Sequence, residues 1–154
     1  ASISGLGSGA HAAILAGNCI EYVEVIAGAA QAGVPIATIN PRLSAAEVTQ
    51  ICDDAEVLLL FVDQAHAEMA RDSKFASVKQ IIEFGTDYDN WVNNARPVRS
   101  PPLVPEWEVF TIPYTSGTTG HPKGVMVSHR SRVLTLFGMA MEYGCYSPDD
   151  RFLV

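Results

Sequence analysis

Six consecutive apolar residues, Val57 to Val62 (VLLLFV), follow a segment with helical spacing and precede an aspartate able to start another helix. A strand that alternates apolar and polar side chains can leave one face in water, but one that is apolar throughout must be covered on both. Such a strand belongs inside a sheet with helices above and below it, and the surrounding sequence repeats the unit. His11 to Ala16 is a short apolar run that Gly17 and Asn18 turn into a helix over Cys19 to Gln31, with Ile20, Val23, Ala27 and Ala30 inward and Gly33 at its end. Val34 to Ile39 reads as a second strand, ended at Asn40-Pro41 because the residue before proline is driven to extended backbone. Ser44-Ala45-Ala46-Glu47 fits a capping box, which contributes about 1 kcal/mol together with the next turn. The helix it starts runs to about Ala55 with Val48, Ile51, Cys52 and Ala55 inward. Asp63 caps a short helix to about Arg71, and Lys79 to Phe84 supplies a fourth strand. Strands alternating with helices need crossover connections, so the expected fold class is α/β, a mainly parallel sheet flanked by helices.

Punctuation divides the chain. Residues 1–96 form the α/β portion, with Ala1 to Gly9 read as a helix end or linker and Gly85 to Asn94 as a turn with one or two helical turns. Four of the nine prolines fall between Pro97 and Pro105, which marks 97–107 as an extended connection. Within 108–154, Glu108 to Tyr114 returns to strand character, a glycine-rich loop leads to a short strand at Val125 to Val127, and Ser128 caps a helix to about Tyr143 with Val133, Leu134, Phe137 and Met141 inward. Ser147 to Asp150 is a turn, and Arg151 begins a strand ending in Phe152-Leu153-Val154. An apolar strand left at a terminus is a sticky edge, which predicts that the chain is a fragment of something longer.

The chemistry is concentrated between Tyr114 and Val125, YTSGTTGHPKGV. Thr115, Ser116, Thr118 and Thr119 carry hydroxyls, Gly117, Gly120 and Gly124 free the backbone, and Lys123 adds a charge. Glycines let several N–H groups face one point, and hydroxyls add donors that also ligate metals, so the natural guest is a phosphate chain. The Walker pattern fails, because Pro122 stands where its second glycine belongs and Gly124 replaces its hydroxyl residue. Pro122 offers no N–H, which leaves Ser116 to Gly120 as the main donors.

Overall composition bounds the partners. Ten basic and seventeen acidic side chains give a net charge of -7, which excludes a general affinity for nucleic acid or anionic membrane, so phosphate must be held locally. With 48% apolar and 18% charged residues the chain is no disordered tail. Cys19, Cys52 and Cys145 lie far apart, and an odd count suits a reducing compartment, so a cytoplasmic protein is expected. No apolar run approaches a membrane span.

The stretch resembles the phosphate-loop signature of the adenylate-forming enzymes, the superfamily of acyl-CoA synthetases, peptide-synthetase adenylation domains and luciferases. That pattern runs Tyr-Thr-Ser-Gly-Thr-Thr-Gly-x-Pro-Lys-Gly-Val, and every fixed position matches Tyr114 to Val125. Weaker similarity runs through AILAGN, QAGVPI and INPRLSAAEV, the last resembling the stand-alone ligases more than peptide-synthetase modules, and the chain as a whole is most similar to the fatty-acyl or aryl-acid CoA ligases. The resemblance implies part of a large N-terminal domain that joins a carboxylic acid to AMP with loss of pyrophosphate, then passes the acyl group to coenzyme A. It implies that Thr115, Ser116, Gly117, Thr118, Thr119, Gly120 and Lys123 contact the β- and γ-phosphates of ATP, and that the Thr115 hydroxyl contacts Mg²⁺. No catalytic residue is assigned, since the family's adenine, ribose and acyl sites, its acidic metal ligand and its late lysine all belong beyond residue 154. His129 reads as a capping or packing residue, His121 as solvated, His11 and His66 as lacking partners at metal spacing, and Asp53-Asp54 and Asp149-Asp150 as helix-end and turn residues. A nucleotide- or phosphate-binding module without catalysis stays open as the alternative. The identity of the acid and the oligomeric state are not legible.

Overall fold

The apolar strand β3 (Val57–Val62) occupies an interior place in a sheet, paired in parallel with β1 (His11–Leu15) on one side and β4 (Gln80–Glu83) on the other. The computed structural model describes residues 9–96, 100, 102–115, 122–144, 147 and 149–151. Beyond β1 the sheet continues through β2 (Ile36–Ile39) and β5 (Val109–Thr111), both added in parallel, to an antiparallel β8 (Val127–Ser128), giving the order β4-β3-β1-β2-β5-β8. The mainly parallel α/β fold expected from the alternation is therefore what forms. A separate hairpin pairs β6 (Tyr114–Thr115) with β7 (Lys123–Gly124).

Side chains alternate across each strand, and the two faces have separate cores. On one face Ala13, Leu15, Ala37, Ile39, Leu60 and Val62 meet α2 (Ala45–Asp54) and α3 (Gln64–Asp72). On the other, Ile14, Ile36, Leu59 and Phe61 meet Val25 and Ala29 of α1 (Ile20–Ala32) and Tyr88 of α4 (Thr86–Asn93). Val48, Ile51, Cys52 and Ala55 are buried as their spacing predicts. The capping box also forms: Ser44 Oγ accepts from the Glu47 N–H, and the Ser44 N–H donates to Glu47 Oε2 at 2.8 Å. Replacing Ser44 by alanine is expected to cost about 1 kcal/mol in a denaturant titration, with Ser44→Asn recovering most of it. Gly33 ends α1 at φ 67°, a conformation that costs any other residue strain.

Four expectations are corrected. In α1, Ile20 is 77% and Val23 66% exposed and Ala27 faces solvent, while Val25 and Ala29 are buried with Tyr22 and Ile26 half-covered beside them. Two apolar rows share helical spacing, so periodicity does not choose between them; the β1-to-β2 crossover turns the Val25 row toward Ile14, Ile36 and Phe61. In α5 (His129–Tyr143), Val133, Leu134, Phe137 and Met141 are exposed rather than inward. Among the described residues, the elements packed most closely on this helix are β5 and β8, and none of the helix's own residues is buried. Finally, the single strand expected over Glu108 to Tyr114 breaks in two, because Pro113 has no N–H to continue the ladder. Of the expected Val125–Val127 strand only Val127 is in a strand, as the first residue of β8, while Val125 and Met126 link it to β7. Readings that fall on 1–8, 97–99, 101, 116–121, 145–146, 148 and 152–154, Cys145 and the terminal strand among them, lie outside the described residues.

At the carboxyl edge of the sheet, Asp63 and His66 tie three strand ends together. The Gly17 N–H beyond β1 donates to Asp63 Oδ2 at 2.9 Å, His66 Nδ1 lies 2.5 Å from Asp63 Oδ1, and His66 Nε2 lies 2.9 Å from the Pro41 carbonyl beyond β2. Both ring nitrogens face oxygens that only accept, an arrangement that favours the doubly protonated, cationic imidazole. Burial pulls the His66 pKa down, but the hydrogen bonds to Asp63 and Pro41 and the carboxylate's charge outweigh it, and the net shift is upward. For Asp63 burial is likewise outweighed, by the hydrogen bonds from Gly17 and His66, and the carboxyl is held below its ordinary value. A raised histidine pKa stabilises the fold fully below its unfolded value near 6.5 and loses that contribution as pH rises through the folded value. The lowered Asp63 stabilises above its ordinary value and loses this as pH falls through the folded one. The difference in Tm between the parent and His66→Gln is therefore expected to be widest near pH 5.5 to 6, within about a unit below the ordinary histidine pKa, and to shrink toward pH 9. A difference that grew with pH would contradict the cationic ring.

Candidate active-site hairpin

In an open α/β sheet, ligands bind beyond the carboxyl ends of the strands, by default where neighbouring connections diverge. Here the connections diverge between β1 and β3, and that crevice is bridged by the chain's own Asp63 carboxylate on the Gly17 N–H. The strand that leads into the glycine-rich segment, β5, ends at the same edge. Strand β5 runs parallel to β2 through Ile36 and Thr111, the Ile112 N–H donates to the Ile36 carbonyl at 2.9 Å, and the chain then leaves the sheet at Pro113.

From there the base of the segment is a hairpin. Tyr114 pairs with Gly124 and Thr115 with Lys123 in antiparallel register, and the Val125 N–H donates to the Pro113 carbonyl at 2.9 Å. Residues directly opposite in such a pair project to the same side. The hydroxyl of Thr115 and the ammonium of Lys123, both exposed, thus stand together on one side of the hairpin. Tyr114 and Gly124 occupy the other side. A Cβ at Gly124 would sit 2.9 Å from Ile112 Cγ2 and 3.0 Å from Tyr114 Cζ, so the residue must be glycine for the ring to lie on it. Ser116, Gly117, Thr118, Thr119, Gly120 and His121, which the two strands bracket, lie outside the described residues.

Helix α5, on the far side of the hairpin, is fastened to the connection that precedes β5. Ser128 Oγ caps α5 by accepting from the Ser131 N–H at 3.1 Å, as its sequence position predicts. Arg130 donates to Glu106 at 2.9 and 3.1 Å and lies 4.8 Å over the Trp107 ring, while Arg132 donates to the buried Thr111 hydroxyl at 3.1 Å. His129 packs its ring 5.2 Å from that of Phe110, the packing role expected of it.

A family model described as AMP-binding enzyme matches residues 2–154. The chain belongs to the AMP-binding enzymes. Among curated members, it is 33% identical over 153 residues to a 3-methylmercaptopropionyl-CoA ligase of Ruegeria pomeroyi, covering 88% of this chain and 28% of that one. To a fatty acid–[acyl-carrier-protein] ligase of Streptomyces coeruleorubidus it is 32% identical over 130 residues, covering 83% of this chain and 25% of the other. The o-succinylbenzoate CoA synthetase of Bacillus subtilis, solved with its acyl-adenylate intermediate OSB-AMP, superposes with a TM-score of 0.77 at 26% identity over 95% of this chain and 36% of that one. The chain thus spans about a quarter of the length of the curated AMP-binding relatives it matches.

For an AMP-binding chain, two sets of contacts stand out that spacing did not reveal. Asp63, the N-cap of α3, and His66 in its first turn stand at i and i+3, a pattern that could have flagged their pairing. Tyr114 Oη donates to Asp54 Oδ2 at 2.6 Å across 60 residues, a separation no local pattern reports. Asp53 accepts from the N–H groups of Ala76 and Ser77 at 2.8 and 3.1 Å, so both aspartates at the end of α2 are tethers. Among the described residues no three His, Cys, Asp or Glu side chains converge as a metal site, and no helix is long and apolar enough to cross a membrane.

Proposed function

We propose that this chain supplies the ATP phosphate loop of an acid–thiol ligase, which converts a carboxylic acid to an acyl-adenylate and then to a coenzyme A thioester. The observation that carries this reading is the twelve-residue signature Tyr114 to Val125 on a hairpin whose Thr115 and Lys123 share one side at the carboxyl edge of the sheet. The names of the relatives support it: one is a 3-methylmercaptopropionyl-CoA ligase, and the solved B. subtilis structure holds an acyl-adenylate.

In this reading a carboxylate oxygen attacks the α-phosphorus of ATP, the bond to the bridging oxygen breaks, and pyrophosphate departs with the electron pair. Backbone N–H groups from Ser116 to Gly120, the Ser116, Thr118 and Thr119 hydroxyls and the Lys123 ammonium hold the β- and γ-phosphates in line for departure. Their placement offsets charge the protein as a whole repels, since its net charge is -7. The exposed Thr115 hydroxyl is a hard oxygen donor of the kind Mg²⁺ accepts beside phosphate oxygens and water, and the ion would supply further neutralisation there. Residues 1–96 act as the scaffold and 108–154 present the loop, within one larger N-terminal domain. The odd number of cysteines supports a cytoplasmic setting.

The decisive experiment screens the full-length enzyme against a panel of carboxylic acids for pyrophosphate release from ATP. Acid-dependent release, with AMP formed in equal amount and thioester appearing when coenzyme A is added, is the expected result. ADP and inorganic phosphate as products, or release indifferent to the acid, would overturn the reading.

A further inference from the structure

We propose that Tyr114 and Asp54 form a positioning couple that fixes the hairpin at the base of the phosphate loop, so that the grip on ATP depends on a hydrogen bond between residues 60 apart. The inference rests on the reading of Ser116 to Lys123 as that loop. Tyr114 adjoins Thr115 in β6 and lies opposite Gly124, the neighbour of Lys123 in β7. Any rotation of its ring therefore moves both strands that carry the loop.

Three contacts fix the ring. Its hydroxyl donates to Asp54 Oδ2 at 2.6 Å, the short distance of a bond to an ionised acceptor. Its hydroxyl end lies against Gly124, where a Cβ would come within 3.0 Å of Cζ and 3.1 Å of Oη. Ile112, buried in the core, closes in on the same glycine, 2.9 Å from the Cβ position. Asp54 is a firm post, because it is the last residue of α2, a helix capped at Ser44 and anchored inward by Val48, Ile51 and Cys52. Burial and the bond to Asp54 push the Tyr114 phenol well above its ordinary pKa, so it remains a donor throughout the neutral range. Asp54 itself is exposed, and an exposed aspartate at a helix end has no packing reason to be bonded to a tyrosine of another element.

A bond that holds the loop in place acts equally on bound ATP and on the transition state, so its loss raises KM for ATP more than it lowers kcat. A purely structural bond would instead lower the folded fraction, which reduces apparent kcat and leaves KM alone. In the full-length enzyme, Tyr114→Phe and Asp54→Ala are each expected to raise KM for ATP about five- to tenfold, the effect of losing one hydrogen bond. The double variant should be no worse than either single one, KM for the carboxylic acid should hold, and Asp54→Asn, whose amide oxygen accepts the same proton, should restore most of the affinity. Additive effects, or an unchanged KM for ATP in an enzyme where Lys123→Ala cripples ATP use, would overturn the couple while leaving the loop reading intact. Indifference to Lys123→Ala as well would overturn the loop reading and the couple with it.

Discussion

Alanine in place of Lys123 is expected to lower kcat/KM for ATP in the full-length enzyme by about ten- to 150-fold, which is the loss of a charge-assisted contact of about 1.5 to 3 kcal/mol. The size follows from how little positive charge the site has. Within Tyr114 to Val125, Lys123 is the one lysine or arginine, and the chain around it carries seven more acidic than basic side chains. Arg130 and Arg132, the next cations along, are engaged with Glu106 and with Thr111. Nothing in the packing should suffer, since Lys123 is exposed in a two-residue strand that its backbone pairing defines. Melting temperature should therefore hold while ATP use falls, and Lys123→Arg should recover part of the loss by keeping the charge with a different donor geometry. Unaltered kinetics of Lys123→Ala would remove the lysine from the site.

Which parts of this protein are legible in its sequence depends on the range of the physics involved. The β3 run, the Ser44–Glu47 box, the Asp63 and Ser128 caps and the glycine end of α1 are set by neighbours within four residues, and each stands where the sequence places it. The loop signature is equally local, as a phosphate must be surrounded by groups close in sequence. Illegible features depend on distant partners. Val25 rather than Val23 faces inward because of where β1 and β2 place the sheet, and the tether from Tyr114 to Asp54 exists only once α2 lies under the hairpin. The α5 face shows the same limit from the other side: Phe137 and Met141 have helical spacing, but spacing alone supplies no partner to bury them.

Removal of the Phe61 ring is expected to give the largest loss of stability in the chain, about 3 to 5 kcal/mol for Phe61→Ala. The side chain is fully buried in β3 and is the hub of an aromatic cluster: Trp91 meets it edge-on at 5.5 Å, Tyr88 edge-on at 6.3 Å, and Phe84 stacks at 6.5 Å. Two of these partners, Tyr88 and Trp91, belong to α4, an eight-residue helix whose N-cap, Gly85, makes no side-chain hydrogen bond. So short a helix is marginal on its own and holds its shape through the face it buries. A cavity at Phe61 should accordingly loosen α4 before anything else. The check is a denaturant midpoint together with amide exchange in the full-length protein: α4 amides should exchange sooner, while α2, on the opposite face of the sheet, and the Tyr114–Gly124 hairpin keep their protection and the folded enzyme keeps its KM for ATP. Phe61→Leu, which refills most of the space, should cost less than half as much. A loss under about 1.5 kcal/mol for alanine, no more than a conservative core swap, would mean that the cluster closes around the gap and that α4 is held in place by Tyr88 bonded to Glu24 of α1 at 3.0 Å rather than by the ring beneath it.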